Sequence, residues 1–347
     1  MALVMVQGHT FDSLLTSAAQ AQALYRAEVT IHGSTAPGFL FASGFVAGLP
    51  RAPLSLRASV RRARRLFFIL GVGYALHLPY LSLWKTLQAS AAEKAALFAC
   101  DALQVIAAAQ LLVLGLQWVF GRRWTSVTGI LGAALLATGP WVWASGLAAR
   151  LHPALGAYLD QSTGSHFPFF PFAIFVLAGT VAGAALGRQE VAVRRARARF
   201  WGAMLVLLGA ILSVGLSPWI DFWGVSPGYV VLRLGGLLWL LGVVEACAQA
   251  GWRVIPPLAL LGHETLLVFV LHLYLLFGGV VGAAPLAALT GRLSFGMVTV
   301  ATVLMIPALF AAAAVWHRAK VAAPHVASMA LAFLTTLFCY EFLTRAW

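Results

Sequence analysis

The chain has 347 residues, of which 61% are hydrophobic and only 10% are charged, and its mean hydropathy is +0.90. Soluble domains carry about 25% charged residues, so this composition excludes a soluble enzyme and a soluble binding module. The net charge of +13 does not indicate a nucleic-acid partner, because the cations concentrate in short segments between hydrophobic runs.

Apolar runs of about 20 residues recur along the chain, and each is able to cross a hydrocarbon core of roughly 30 Å as a helix. The sequence therefore predicts an all-α, polytopic transmembrane helical bundle with about ten full spans after a truncated first helix. The predicted spans are residues 36–49, 66–84, 97–119, 125–146, 167–187, 200–220, 228–247, 256–281, 295–316 and 326–343. Since no long hydrophilic segment separates these runs, residues 1–347 are expected to form a single integral membrane domain.

The segments between the predicted spans alternate in positive charge. One side has sixteen cations, namely Arg51, Arg57, Arg61, Arg62, Arg64, Arg65, Arg122, Arg123, Arg188, Arg194, Arg195, Arg197, Arg199, Arg253, Arg318 and Lys320. The other side has six, namely Arg26, Lys85, Lys94, Arg150, Arg292 and Arg345. The positive-inside rule assigns the first side to the cytoplasm. We therefore expect an inner-membrane protein whose C-terminus is exoplasmic and whose first helix runs outward, and we expect that helix to lack about 15 residues at its start.

His9 and Asp12 form a titratable pair at the predicted outer end of the first helix. Because the two residues are three positions apart, a continuing helix places them on one face. Asp12 is then expected to orient the imidazole of His9 and to stabilise its protonated form, as a general base for a hydroxyl or an amine requires. The alternative interpretation is a polar cap at a helix end.

Other polar residues within the predicted spans are candidates for function, since such residues usually face the interior of a helical bundle. Asp101 and Gln104 share a helical face, which indicates either a second polar wall of the cavity at His9 or a pair that bonds between helices. His272 is most simply a hydrogen-bonded structural histidine. Arg233 needs a counter-charge, for which Asp101 and Asp221 are the candidates. No metal site is expected, because His263 and His272 are too far apart for a His-Glu-x-x-His signature.

Three stretches resemble the polytopic membrane acyltransferases. They are Ala2–His9 (ALVMVQGH), His32–Phe45 (HGSTAPGFLFASGF) and Leu260–His272 (LLGHETLLVFVLH), and the segment Asp101–Ile106 also fits. The pattern is most similar to bacterial relatives of heparan-alpha-glucosaminide N-acetyltransferase and, more distantly, to acyltransferase family 3. The Asp-x-x-Arg-Gly pattern that usually precedes the first helix is absent, and Thr265 and Phe269 replace the usual serine and tyrosine.

The resemblance implies transfer of an acyl group, in particular acetyl, from cytoplasmic acetyl-CoA or another acyl-CoA to an exoplasmic glycan hydroxyl or amine. It implies His9 as the catalytic base, oriented by Asp12. His32, or no residue of this chain, is the competing equivalent, because the histidine of the heparan enzyme lies later in the first outer loop. Asp101, Gln104 and His272 are then expected to line the substrate route.

Two other functions suit the same features. A multi-span transporter for a small solute also has many spans and scattered buried charges, and a noncatalytic membrane scaffold keeps the fold alone. Loss of turnover in a His9 variant that still binds the donor distinguishes the enzyme, whereas transport of a solute without any CoA donor distinguishes the transporter. The lipid bilayer is a partner in all three cases, and the oligomeric state is not indicated.

Overall fold

The structure is a computed structural model that describes residues 1–50, 54–220, 224–280 and 282–345. Within these ranges the regular structure is helical, apart from two isolated β-bridges. The predicted all-α class is therefore confirmed.

The α-helices follow one another along the whole chain. They are α1 (Ala2–Leu14), α2 (Ser17–Gln20), α3 (Ala23–His32), α4 (Thr35–Gly48), α5 (Leu56–Leu76), α6 (Leu83–Leu87), α7 (Ala91–Phe98), α8 (Ala102–Phe120), α9 (Trp124–Ala144), α10 (Pro153–Gly156), α11 (Phe169–Leu186), α12 (Val191–Leu216), α13 (Pro227–Gln249), α14 (Ile255–His263), α15 (Thr265–Phe277), α16 (Phe295–Ala322) and α17 (Pro324–Thr344). Short 3-10 turns lie at Gly121–Arg123, Ala148–Arg150, Gln161–Thr163 and Ala287–Leu289.

Six helical stretches of the described chain are long and apolar enough to cross a membrane, or seven if α14 and α15 form one span broken by a 78° bend. The chain is thus an integral membrane protein, but the count of ten spans is not confirmed. Part of the difference lies at Ala102–Ala144, a stretch of 43 residues that contains both α8 and α9. Another part lies at α4, whose 14 residues extend over only about 21 Å.

The basic segments expected to be loops are largely the first turns of helices. α5 begins at Leu56, where Ser55 Oγ accepts a hydrogen bond from the amide of Ala58 at 3.3 Å, and the helix contains Arg57 and Arg65. α12 likewise begins at Val191 rather than near residue 200. Arginine is a good helix former, so a high density of positive charge does not end a helix. Arg51 lies outside the described residues.

The chain divides into two compact units. The first unit comprises Met1–Thr35, Leu78–Glu93 and Arg253–Trp347, and the second comprises Ala36–His77 and Lys94–Trp252.

The second unit has a hydrophobic core centred on α11, where Phe175 and Leu177 are fully buried. α11 lies directly against α4 because both helices have glycines four residues apart at the contact. A Cβ atom at Gly44 would lie 2.0 Å from the carbonyl oxygen of Val176, and one at Gly179 would lie 2.2 Å from that of Phe41. Small residues at this spacing allow two membrane helices to approach at backbone distance.

The first unit is arranged around α1, which packs against α3, α15 and α16. The C-terminal end of α1 is fixed by backbone hydrogen bonds from a later segment: the amide of Gly291 donates to Ser13 O at 3.0 Å, and that of Leu293 donates to Leu14 O at 2.9 Å. Early and late segments of the sequence thus both hold α1, the helix with the candidate catalytic residues.

Candidate functional site

α1 is helical from Ala2 to Leu14, so His9 and Asp12 lie one turn apart as predicted. His9 forms a close pair with His272 of α15. His9 Nδ1 and His272 Nε2 are 2.8 Å apart, and the two rings stack with centroids 5.1 Å apart and an interplanar angle of 16°. The sequence predicted both histidines as site residues, and the fold brings them into direct contact although they are 263 positions apart.

The side chain of His272 is enclosed by its own helix and by α1. The residue is 0% exposed, and the ring of Phe269 meets its ring edge-on at a centroid distance of 5.8 Å. His272 Nδ1 lies 2.8 Å from the carbonyl oxygen of Val268, one turn earlier in α15. Each ring nitrogen of His272 therefore has a hydrogen-bond partner, one in the backbone and one in His9.

The carboxylate of Asp12 has two hydrogen-bond partners on α3. Tyr25 donates its hydroxyl to Asp12 Oδ1 at 2.5 Å, and His32 Nε2 lies 3.3 Å from Asp12 Oδ2. His32 Nδ1 in turn lies 2.9 Å from each carboxylate oxygen of Glu28. We call Asp12, His32 and Glu28 the His32 clamp, because the imidazole is held between two carboxylates. Gln7 completes the network by donating to Glu28 Oε1 at 2.7 Å.

The His32 ring rests on the backbone of Gly8, next to His9 in the chain. A Cβ atom at position 8 would lie 2.6 Å from Cγ and 2.7 Å from Cβ of His32, so a larger residue than glycine would displace the ring. The stretch Gly8-His9 thus has two functions in packing: the glycine accommodates His32, and the histidine side chain pairs with His272.

The charges of the clamp determine its protonation. Partial burial alone would lower the pKa of His32, but hydrogen bonds and charge attraction from Asp12 and Glu28 outweigh this effect and raise that pKa above its ordinary 6.5. Burial alone would raise the pKa of Asp12, yet the bonds from His32 and Tyr25 lower it below its ordinary 3.8. Burial and the bond to Asp12 raise the pKa of the Tyr25 hydroxyl. The favoured state is an imidazolium between two carboxylates.

Asp12, Glu28 and His32 are also close enough together to hold a metal ion, since one donor atom from each lies within 4.8 Å of the others. The two imidazole nitrogens, however, face different carboxylates. A metal ion takes the lone pair of a single nitrogen, which would leave the other nitrogen to bond to a carboxylate. A proton on each nitrogen satisfies both carboxylates at once, so the donor set fits an imidazolium better than a metal ion.

Asp101 and Gln104, the other predicted substrate-binding residues, belong to the second unit. Asp101 Oδ2 lies 3.1 Å from His77 Nε2, and its Oδ1 lies 3.6 Å from Nδ1 of the exposed His166. Gln104 is fully buried at the start of α8, where it accepts from the amide of Asp101 at 3.3 Å and donates to Ala99 O at 3.4 Å. The side-chain amide of Gln104 is thus hydrogen-bonded to backbone groups. The carboxylate of Asp101 instead forms a second histidine–carboxylate cluster.

The late Gly-His-Glu-Thr stretch contains the break between α14 and α15. Glu264 lies at this break and is 3% exposed, with His317 Nδ1 at 2.8 Å and Lys320 Nζ at 2.7 Å from its two oxygens. The buried carboxylate is therefore paired with two basic groups of α16. It fixes the start of α15, the helix that contains His272.

Arg233 is mostly buried in α13, and its guanidinium lies over the ring of Tyr229 at 4.4 Å from the centroid. This cation–π contact was not predicted from the sequence. Asp221, one of the two expected counter-charges, lies outside the described residues.

Glu28 and Tyr25 were not predicted as site residues. Glu28 lies four positions before the candidate base His32, a spacing that predicts contact on a helix, so Glu28 could have been found. Tyr25 could not, because its contact with Asp12 depends on how α3 folds back on α1.

Comparison with known families decides the family. A model of the heparan-alpha-glucosaminide N-acetyltransferase catalytic domain matches residues 1–214. The chain belongs to this family. The match confirms the resemblance found in the sequence motifs, and it includes His9, Asp12 and His32 but ends before His272. No curated protein matches the chain, and no solved structure matches it.

Proposed function

We propose that the protein transfers an acetyl group from acetyl-CoA to an amine or hydroxyl of a glycan, with His9 as the general base. The observation that supports this most directly is the His9–His272 pair, which holds a histidine of α1 in a defined orientation within a chain of the acetyltransferase family. A base positioned in this way contributes about 10²- to 10⁴-fold to a proton-transfer step.

The reaction needs a base for the acceptor as the new bond forms. The lone pair of the acceptor nitrogen or oxygen attacks the thioester carbonyl, while His9 takes the proton of that atom. The tetrahedral intermediate then breaks its C–S bond, and the leaving thiolate of CoA takes up the proton from His9. The products are the acetylated acceptor and CoA thiol, and His9 is neutral again.

His9 suits this role better than His32, the competing candidate. A general base must present an unprotonated nitrogen to the acceptor. Both nitrogens of His32 face carboxylates, and the raised pKa of His32 favours its protonated form. In the pair, Nδ1 of His9 faces the imidazole of His272, whose ring stacks on that of His9. Asp12, one turn away on α1, provides a negative charge that stabilises His9 when it is protonated.

The topology that we propose follows from the positive charges along the chain. The arginine-rich starts of α5 and α12 lie on the cytoplasmic side. The donor approaches from the cytoplasm of an inner membrane, the acceptor from the opposite face, and the C-terminus is exoplasmic. Residues 1–347 function as one acetyltransferase domain.

The test is an acetyl-transfer assay with the protein in lipid nanodiscs. Acetyl-CoA and a glucosamine-terminated oligosaccharide are supplied, and the release of CoA thiol is measured together with the mass of the acceptor. We expect an acceptor heavier by one acetyl group and a His9→Ala variant that loses at least about 100-fold in kcat while it still binds acetyl-CoA. His325→Ala, which changes an exposed histidine of α17, is the matched control and should keep wild-type activity.

Two results would contradict the proposal. If no amine or hydroxyl acceptor in a panel of amino sugars and neutral sugars is acetylated by a protein that is folded, acetyl transfer is not its function. If His9→Ala retains full turnover, another residue is the base. Uptake of a solute into sealed vesicles without acetyl-CoA would instead support the transporter.

A further inference from the structure

The hydrogen bonds at His272 have only one consistent set of directions. A backbone carbonyl oxygen accepts hydrogen bonds and cannot donate them. Because His272 Nδ1 lies 2.8 Å from Val268 O, Nδ1 must have the proton. In a neutral imidazole the other nitrogen then has the lone pair, so His272 Nε2 is an acceptor.

His272 is neutral in this arrangement. Its side chain is 0% exposed, and a charged group that is buried without a counter-charge is strongly destabilised. Among the described residues, its partners include the backbone of Val268 and of Phe269, the ring of His9 and the ring of Phe269, none of which is a carboxylate. A second proton on His272 would have no negative partner there.

The direction of the bond between the two histidines follows. His9 Nδ1 lies 2.8 Å from His272 Nε2, and since the latter is an acceptor, His9 Nδ1 must donate. A neutral His9 with its proton on Nδ1 has its lone pair on Nε2. This is the opposite of the tautomer that an imidazole favours in water.

We infer that His272 is a positioning residue, which fixes the tautomer of His9 and makes Nε2 of His9 the atom that takes the proton of the acceptor. The role of Nε2 in catalysis rests on the proposed acetyl transfer, whereas the tautomer itself does not. When His9 is protonated, its Nδ1–H bond to His272 persists, so the same contact orients the neutral and the charged ring. His272 thus does for His9 what the third group of a catalytic triad does for its base, but as a neutral imidazole whose own tautomer is set by Val268 O.

The tautomer is measured first, by ¹⁵N NMR of protein labelled only at histidine. The signals of His9 are assigned by their absence in His9→Ala. At a pH where His9 is neutral, we expect Nδ1 of His9 to have the shift of a protonated nitrogen and Nε2 that of an unprotonated one. The reverse pattern in wild-type protein would overturn the inference, and this readout needs neither substrate nor activity.

Two variants that fill the same space then separate positioning from packing. His272→Gln keeps an acceptor for His9 Nδ1–H, whereas His272→Leu has none. We expect His9 of the Leu variant to change to the Nε2–H tautomer and kcat to fall by about 10- to 100-fold with an unchanged KM for acetyl-CoA. The Gln variant should keep the wild-type tautomer and a kcat within about tenfold of wild type.

The two readouts distinguish this inference from the proposed function. If the tautomer changes in His272→Leu and no acetyl transfer is found in wild-type protein, the positioning role stands and the proposed function fails. If His272→Leu leaves the His9 tautomer unchanged, or if the Leu and Gln variants lose equal activity, His272 has only a structural role and the inference fails.

Discussion

Two histidines of the first unit, His9 on α1 and His32 on α3, have surroundings that differ in charge. His9 lies on α1 and pairs with a second imidazole, His272. His32 lies at the end of α3 and is bonded by the carboxylates of Asp12 and Glu28. The two residues have the same side chain and are held in the same part of the molecule. The difference shows that the partners of an imidazole, rather than the presence of the residue, decide whether it can act as a base.

The chemical consequences of the two surroundings are opposite. Two carboxylates stabilise a positive imidazole, so His32 acts as a cation that joins α1 to α3. A neutral imidazole partner gives no such stabilisation, and it accepts a hydrogen bond from Nδ1–H of His9 while Nε2 of His9 keeps its lone pair. We expect each change below to act on one of these two surroundings and to leave the other largely intact.

The largest effect is expected when each histidine is replaced by glutamine. The amide of His9→Gln can still donate to His272 but cannot take a proton, so kcat for acetyl transfer should fall by about 10²- to 10⁴-fold. The amide of His32→Gln can still donate to a carboxylate, and we expect less than a tenfold loss. The kcat of each variant is measured as the rate of CoA thiol release at saturating acetyl-CoA.

Thermal unfolding is measured in parallel, so that a loss of fold is not taken for a loss of chemistry. If the two variants lost similar activity at similar stability, or if His32→Gln lost more activity than His9→Gln, the assignment of His9 rather than His32 as the base would be wrong.

The next largest effect is expected at Gly8, whose backbone lies against the side chain of His32. The Cβ of Gly8→Ala would lie 2.6 Å from Cγ of His32, so the ring must move away from Asp12 or α3 must shift. Overpacking of this kind costs about 1–3 kcal/mol, to be measured as a decrease in the free energy of unfolding. Gly262→Ala is the control, since a Cβ there meets nothing within 4 Å. Equal stability of Gly8→Ala and wild type would contradict the close contact of His32 with α1.

The sequence predicted those features that depend on local pattern. The all-α class follows from apolar runs, and the shared face of His9 and Asp12 follows from their spacing within α1. The family follows from motifs distributed over the chain, because such motifs consist of short runs that are read without any knowledge of packing.

The sequence did not predict features that depend on which helices meet. Asp12 was expected to orient His9, yet its described bonds go to Tyr25 and His32, while His272 contacts His9 Nδ1. Gln104 was a candidate for substrate binding, but its amide is bonded to the backbone at the start of α8. In both cases a polar residue is engaged by a group that folding brings close, and residue type alone does not identify that group.

A pH dependence is expected for the His32 clamp. Since folding raises the pKa of His32 above 6.5, the protonated ring stabilises the fold fully below pH about 6.5, and this contribution is lost as the pH rises through the raised pKa. The pKa of Asp12 is lowered, so the contribution of its carboxylate is lost only as the pH falls below about 4. We therefore expect the amides of α3 to exchange faster with deuterium at alkaline pH, after correction for the intrinsic rate.

Glu28→Gln tests the cause of this effect. Without the negative charge of Glu28, the pKa of His32 should move towards its ordinary value, so α3 should loosen at a lower pH than in wild type. The exchange of α9 amides, which belong to the second unit, is an internal control and should not respond. An exchange profile of α3 that is flat from about pH 6 to 9 in wild type would show that the charge of His32 does not hold this helix.

The smallest effect is expected at Tyr25, which bonds the oxygen of Asp12 that His32 does not contact. Tyr25→Phe keeps the ring and removes only the hydroxyl, so the free energy of unfolding should fall by about 0.5–1.5 kcal/mol, the usual contribution of one hydrogen bond. Tyr340→Phe, at an exposed position of α17, is the matched control. Because Asp12 keeps its bond to His32, acetyl transfer should change by less than about twofold. A large loss of activity without loss of stability would instead mean that the Tyr25 hydroxyl reaches the acceptor, and the His32 clamp would then belong to the reaction rather than only to the fold.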